Sequence, residues 1–198
     1  MAKCGIVGPE EYKLGANYAL ALRAVDEILT KIKIGRIVKS MAGTGATEWE
    51  STSVPDEIVV VSGRCPVTTC DNCGKRSFAD PAFPLEGYGT CEFCGQPKKR
   101  RAGGIDILAE QWALAHETKT EIYPPEINEW NDRGGKAGFR SRNIKVAKAS
   151  DIIWVVAPKA STPCKHCGPK RPAHVSNGGC WTANWAEKIG KRAIWVLV

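Results

Sequence analysis

No apolar run in these 198 residues approaches the ~20 needed to cross a bilayer, so no membrane-spanning helix is expected. Met1-Ala2-Lys3-Cys4-Gly5 lacks the apolar core and small-residue cleavage site of a signal peptide, which sets the expectation of a cytoplasmic protein. Without secretion, the nine cysteines argue for metal ligation in a reducing compartment and against a disulfide framework. Internal repeats are absent, as is any low-complexity tract long enough to act as a linker, and the length suits one domain or one domain with a small module. With 43% hydrophobic and 25% charged residues, the composition is that of an ordinary globule and excludes global disorder. A formal charge of +7 favours anionic partners, either phosphate-bearing small molecules or nucleic acid.

What is present alternates. Gly5-Ile6-Val7-Gly8-Pro9 reads as a strand, and a helix follows with Leu14, Tyr18, Leu22, Val25, Leu29 and Ile32 at spacings of three and four. Ile37 and Val38 suit an extra strand. The β-branched run Ile58–Val61 reads as a buried parallel strand, and Gly103-Gly104 opens a helix with Ile105, Leu108, Trp112 and Ala115 on one face. Thr120–Tyr123, Ile152–Val156 and Ala193–Val198 supply further strands. A helix near Asn143–Ala149 and another after Gly178-Gly179 complete the pattern. The fold class expected is α/β, a Rossmann-like parallel sheet of about five strands with helices on both faces. Right-handed crossovers then bring every strand-to-helix loop to the carboxyl edge of the sheet.

The unit from Ile58 to Ala115 is strand, glycine turn and helix, the usual anion-binding arrangement, but its turn is opened by an insertion spanning residues 64–102. That insertion holds Cys70-Asp71-Asn72-Cys73-Gly74 and Cys91-Glu92-Phe93-Cys94-Gly95, separated by seventeen residues. A tight turn lets two thiolates bind one ion and two such pairs complete a tetrahedron, so Cys70, Cys73, Cys91 and Cys94 are expected to form a structural zinc site in a zinc-ribbon-like module. So short a module buries little core, and the ion supplies most of its folding energy. A third pair, Cys164-Lys165-His166-Cys167-Gly168, lies in a second cysteine-containing loop, residues 159–177. Cys65, His166, His174 and Cys180 are candidate partners for it. The favoured set for a second zinc is Cys65, Cys164, Cys167 and His174. His116, at a helix end, reads as structural. The third pair has no adjacent carboxylate to serve as a general base, as zinc-dependent deamination requires.

The segments Gly5–Pro9, Ser62-Gly63, Gly103–Trp112, Ala137-Gly138-Phe139-Arg140-Ser141-Arg142-Asn143, Ala149–Ile153 and Gly178–Val198, taken in order, resemble the SLOG superfamily. This Rossmann-like group includes the phosphoribohydrolases, the DNA-processing protein A and the molybdenum-cofactor carrier proteins. Outside the two cysteine regions the resemblance covers most of the chain, 1–198. It implies a pocket for a nucleotide or nucleotide-derived ligand lined by Gly8, Ser62, Gly63, Gly104, Asp106, Arg142, Asn143, Gly178, Gly179 and Thr182. Glycines let amides approach phosphate, Arg142 offers a bidentate contact, and the Thr182 hydroxyl can join the cradle. The chain departs from the hydrolases at one point. Trp185 stands three residues past Thr182, where they carry a catalytic Glu, and an indole neither activates water nor stabilises an oxocarbenium-like centre. The leading expectation is therefore a zinc-containing binding or sensor protein, with no catalytic residue assigned. An N-glycosidic hydrolase and a nucleic-acid-binding module are the alternatives. The latter draws on Lys98-Lys99-Arg100-Arg101 and on a loop with no acid from Lys159 to His174. Relatives of this fold pair through helices, which would make the chain a homodimer.

Overall fold

The computed structural model describes residues 1–9, 11–41, 47–51, 55, 57–64, 67–70, 72–78, 86–91, 93–101, 104–124 and 137–198. Strand β1 (Ala2–Val7) is followed by a short helix α1 (Glu11–Leu14), a 3-10 turn at Gly15–Asn17, and helix α2 (Tyr18–Lys33). A hairpin of β2 (Arg36–Met41) and β3 (Thr47–Ser51) leads to β4 (Ile58–Ser62). Two more hairpins follow, β5 (Val67–Thr69) with β6 (Arg76–Phe78), and β7 (Glu86–Thr90) with β8 (Pro97–Arg101). The chain continues through α3 (Ile105–Ala115), β9 (Lys119–Ile122), α4 (Ala137–Ala149), β10 (Ile152–Ala157), α5 (Asn177–Lys188) and β11 (Arg192–Leu197).

Strands β1, β4, β9, β10 and β11 form the expected five-stranded sheet, parallel throughout, in the order β11-β10-β1-β4-β9. Alternate side chains of each strand leave opposite faces and nucleate two cores. Ile6, Val60, Trp154 and Ile194 pack with Val25, Ile28, Leu29 and Leu108 under α2 and α3. Val7, Val61, Val155 and Trp195 pack with Val146, Ala147 and Ala183 under α4 and α5. Full burial of a side chain such as Ile28 or Leu29 contributes about 1.5–3 kcal/mol, which is why this stripe decides how α2 lies.

The stripe differs from the one expected. Ala21, Val25, Ile28, Leu29 and Ile32 face inward, while Leu22 is exposed. The cause is phase within α2: at about 100° per residue, Leu22 falls about 80° from the centre of the stripe formed by Ala21, Val25, Ile28, Leu29 and Ile32, on its solvent flank. Likewise, Ile37 and Val38 do lie in a strand, but in a separate two-stranded hairpin.

The sheet order places a reversal between β1 and β10. From β1 the chain builds outward to β4 and β9, then returns to β10 and β11 on the other side. Connections from the two neighbouring strands diverge to opposite faces, α2 to one and α5 to the other; in open α/β sheets such a reversal is where ligands bind.

Candidate metal centres and ligand edge

Three segments of the chain make the same backbone turn. In Cys70–Gly74 and Cys91–Gly95 the glycine amide donates to the first cysteine's carbonyl at 2.9 Å, and in Cys164–Gly168 at 2.7 Å. The glycines sit at φ +67°, +68° and +55°, a region that costs other residues steric strain. The first two turns cap the hairpins β5–β6 and β7–β8, so their thiols converge as a pair of pairs.

The Sγ atoms of Cys70, Cys73, Cys91 and Cys94 all lie within 4.8 Å of one another. Cys70 Sγ is 3.7 Å from Cys94 Sγ, and Cys73 Sγ is 3.7 Å from Cys91 Sγ. These separations are far beyond a disulfide bond. They match the edge, about 3.8 Å, of a tetrahedron with metal–sulfur bonds of about 2.3 Å. The Gln96 amide, and then the Asn72 carboxamide, hold the Cys94 thiol below the ordinary thiol range, which favours the thiolate form a metal needs.

The third turn has no twin. Cys164 and Cys167 are completed by His174, from the same crossover, and by Cys180, in the first turns of α5. All four donor atoms lie within 4.8 Å of one another. Cys164 Sγ is 3.8 Å from Cys180 Sγ, and Cys167 Sγ is 3.8 Å from His174 Nε2. His174 Nδ1 lies 2.7 Å from the Pro172 carbonyl; donating there leaves the Nε2 lone pair for the thiol cluster. Cys180 is fully buried, and that burial pushes its thiol above the ordinary range, so an entering ion must displace its proton. Both clusters fit a four-coordinate metal.

Of the expected second set, Cys164, Cys167 and His174 come together; Cys65 lies outside the described residues, and Cys180 stands in the cluster. His166 is not one of its four donor residues, though its backbone amide donates to Cys164 Sγ at 3.5 Å. His116 stacks on Trp112 at 4.2 Å.

The residues expected at the ligand edge form a chain of contacts. A Cβ on Gly8 would sit 2.3 Å from both Ile105 Cγ1 and the Val156 carbonyl, and one on Gly179 would sit 3.1 Å from Gly8 Cα. The first turns of α3 and α5 therefore close on the end of β1 with no room for a side chain. Gly178 is more open, its nearest neighbour being Asn143 Nδ2 at 3.9 Å from a built Cβ. Buried Arg142 donates from Nη1 to the Gly63 carbonyl at 2.8 Å and from Nε to Asn143 Oδ1 at 3.1 Å. Its Nη1 also lies 3.5 Å from Asp106 Oδ2. Gly104 caps α3 at φ +84°. The Thr182 hydroxyl donates to the Gly178 carbonyl at 2.8 Å, so its proton serves the helix rather than the cradle.

Two participants were missed at this edge. Glu110 is buried one helical turn beyond Asp106, accepting from the Ser62 hydroxyl and from Arg64 Nε at 2.9 Å and Nη2 at 2.6 Å. Arg64 holds φ +34°, an uncommon conformation for a residue with a side chain, where β4 runs out toward the first metal cluster. The i, i+4 spacing of Asp106 and Glu110 was the available signal.

No family model, curated protein or solved structure matches the chain.

Proposed function

We propose that this is a zinc-containing, SLOG-like protein that binds a nucleotide or nucleotide-derived ligand at the carboxyl edge of its parallel sheet. The observation that carries the reading is the convergence of two helix N-termini, those of α3 and α5, on Gly8 at the strand reversal. Helix N-termini present amides and a partial positive charge to an anion, and a strand reversal is where open α/β sheets place such ligands. Thiolate-rich tetrahedral clusters suit zinc better than hard cations.

Binding is favoured over catalysis by the state of the carboxylates. Glu110 is engaged by Ser62 and Arg64, and Asp106 lies against Arg142. Trp185, where the hydrolases carry their acid, is stacked on Trp181 at 5.6 Å.

Native mass spectrometry of the purified full chain tests both halves. Two zinc ions per chain and a bound nucleoside phosphate are expected, with ligand affinity falling by about tenfold or more in Arg142→Ala. Binding of single-stranded DNA or RNA with steep salt dependence, and no affinity for nucleoside phosphates, would replace this reading with the nucleic-acid one.

A further inference from the structure

We propose that the two metal centres have different jobs, and that the ion held by Cys164, Cys167, His174 and Cys180 sets the shape of the ligand edge. For its ligand arm this rests on the function proposed above; its structural arm does not.

Cys180 directly follows Gly179, whose backbone packs against Gly8, and it lies in the same opening of α5 as Gly178. Three of the four donors sit on the crossover between β10 and α5, a segment without regular strands, held by isolated bridges such as Lys159 with His174. The backbone bonds from Ala160 N to the Ala173 carbonyl (3.0 Å) and from Val175 N to the Pro158 carbonyl (2.9 Å) close its neck. Beyond that neck, the knuckle at Cys164–Gly168 approaches the body of the protein at Cys180 and His174. Apart from its packing on Gly8 and the core, the first turn of α5 carries two hydrogen bonds: Gly179 N donates to its cap, Ser176 Oγ, at 3.2 Å, and Thr182 bonds back to Gly178. A metal–thiolate bond at Cys180 is much stronger than either, and it joins that turn to the crossover. Without the ion, three thiols and an imidazole crowd one buried space with no common partner. The exit of α5 toward Gly8 is then free to shift. The ion between Cys70, Cys73, Cys91 and Cys94 has no donor on any element of the parallel sheet or its covering helices, so its loss leaves α5 where it is.

The experiment compares Cys180→Ser with Cys73→Ser, each as the full chain. Zinc is counted by native mass spectrometry, amide exchange is followed over residues 176–183, and inorganic pyrophosphate is the anion probe. Cys180→Ser is expected to lose one ion, to exchange that segment about tenfold faster or more, and to bind pyrophosphate correspondingly more weakly. Cys73→Ser should lose the other ion and leave both readouts within about twofold of the parent protein. If Cys180→Ser does not fold, chelation of Cys73→Ser, which keeps only the second ion, should accelerate exchange over 176–183 as that ion leaves. Equal exchange in both variants, or chelation without acceleration, overturns the proposal. Failure of the parent protein to bind pyrophosphate or any nucleoside phosphate overturns the ligand reading, while the exchange comparison still decides the coupling.

Discussion

The two metal clusters are built from the same turn but joined to the fold in different ways. In the first, two knuckles face each other, each capping its own short hairpin, and all four ligands are thiols. In the second, one knuckle faces a histidine and a helical cysteine, and three of the four residues are buried. The first is self-contained, a four-thiol cluster with just enough chain to fold round an ion. The second is a joint between a crossover and a helix of the main sheet. Metal loss should therefore be local in one case and global in the other.

The largest expected effect is on the joint. Cys164→Ser should cost about 4 kcal/mol or more in chemical denaturation, whereas Cys91→Ser should leave the main transition within about 1 kcal/mol while exposing residues 67–101 to protease. Equal losses in the two would break the comparison. Next comes the clasp at the root of the first region. Glu110→Ala should cost about 2–3 kcal/mol, because it strands the Arg64 guanidinium and the Ser62 hydroxyl beside a buried site. The same substitution should also speed amide exchange across the entry to the first hairpin.

Within the second region, the neighbouring glycines should behave oppositely. A methyl at Gly179 meets Ser176 Oγ at 2.6 Å and Gly8 Cα at 3.1 Å, so Gly179→Ala should cost about 1–3 kcal/mol. Gly178→Ala has space and should be neutral or stabilising by up to about 1 kcal/mol through helix propensity. Thermal melts of the pair test how tightly α5 is seated.

The smallest effect is a control remote from both metals. The Lys3 ammonium, then the Tyr123 hydroxyl, hold the Glu121 carboxyl below its usual value, with Lys3 Nζ at 2.7 Å. A depressed folded pKa contributes stability above the unfolded value and loses it as pH falls through the folded one. Lys3→Met should thus cost under about 1 kcal/mol at neutral pH, with the gap to the parent protein closing below pH ~4.

The paired cysteines were legible because their chemistry is local: two residues between thiols and a glycine behind them define the knuckle before any tertiary contact forms. The parallel sheet follows from alternation and handedness, and the β-branched runs at Ile58–Val61 and Ile152–Val156 announce two of its strands; the order of the strands comes from the structure alone. Cys180 was not legible as the favoured ligand. Its place in the cluster depends on where α5 docks, and nothing in the residues between Cys167 and Cys180 encodes that distance. Leu22 misled because spacings of three and four also admit the flank of a helical stripe, where it stands exposed. The Arg64–Glu110 clasp bridges the whole insertion, beyond any local spacing rule.

The crossover that carries the second cluster also separates β10 from its partner β11, which align from Ile152 with Arg192 to Ala157 with Leu197. Pairing them requires closing the intervening chain, at an entropic cost that grows with the length of the free loop. An ion bridging Cys164 and Cys180 would shorten that loop. A bound ion there would thus favour the finished sheet, by lowering the cost of adding β11 to the edge of β10.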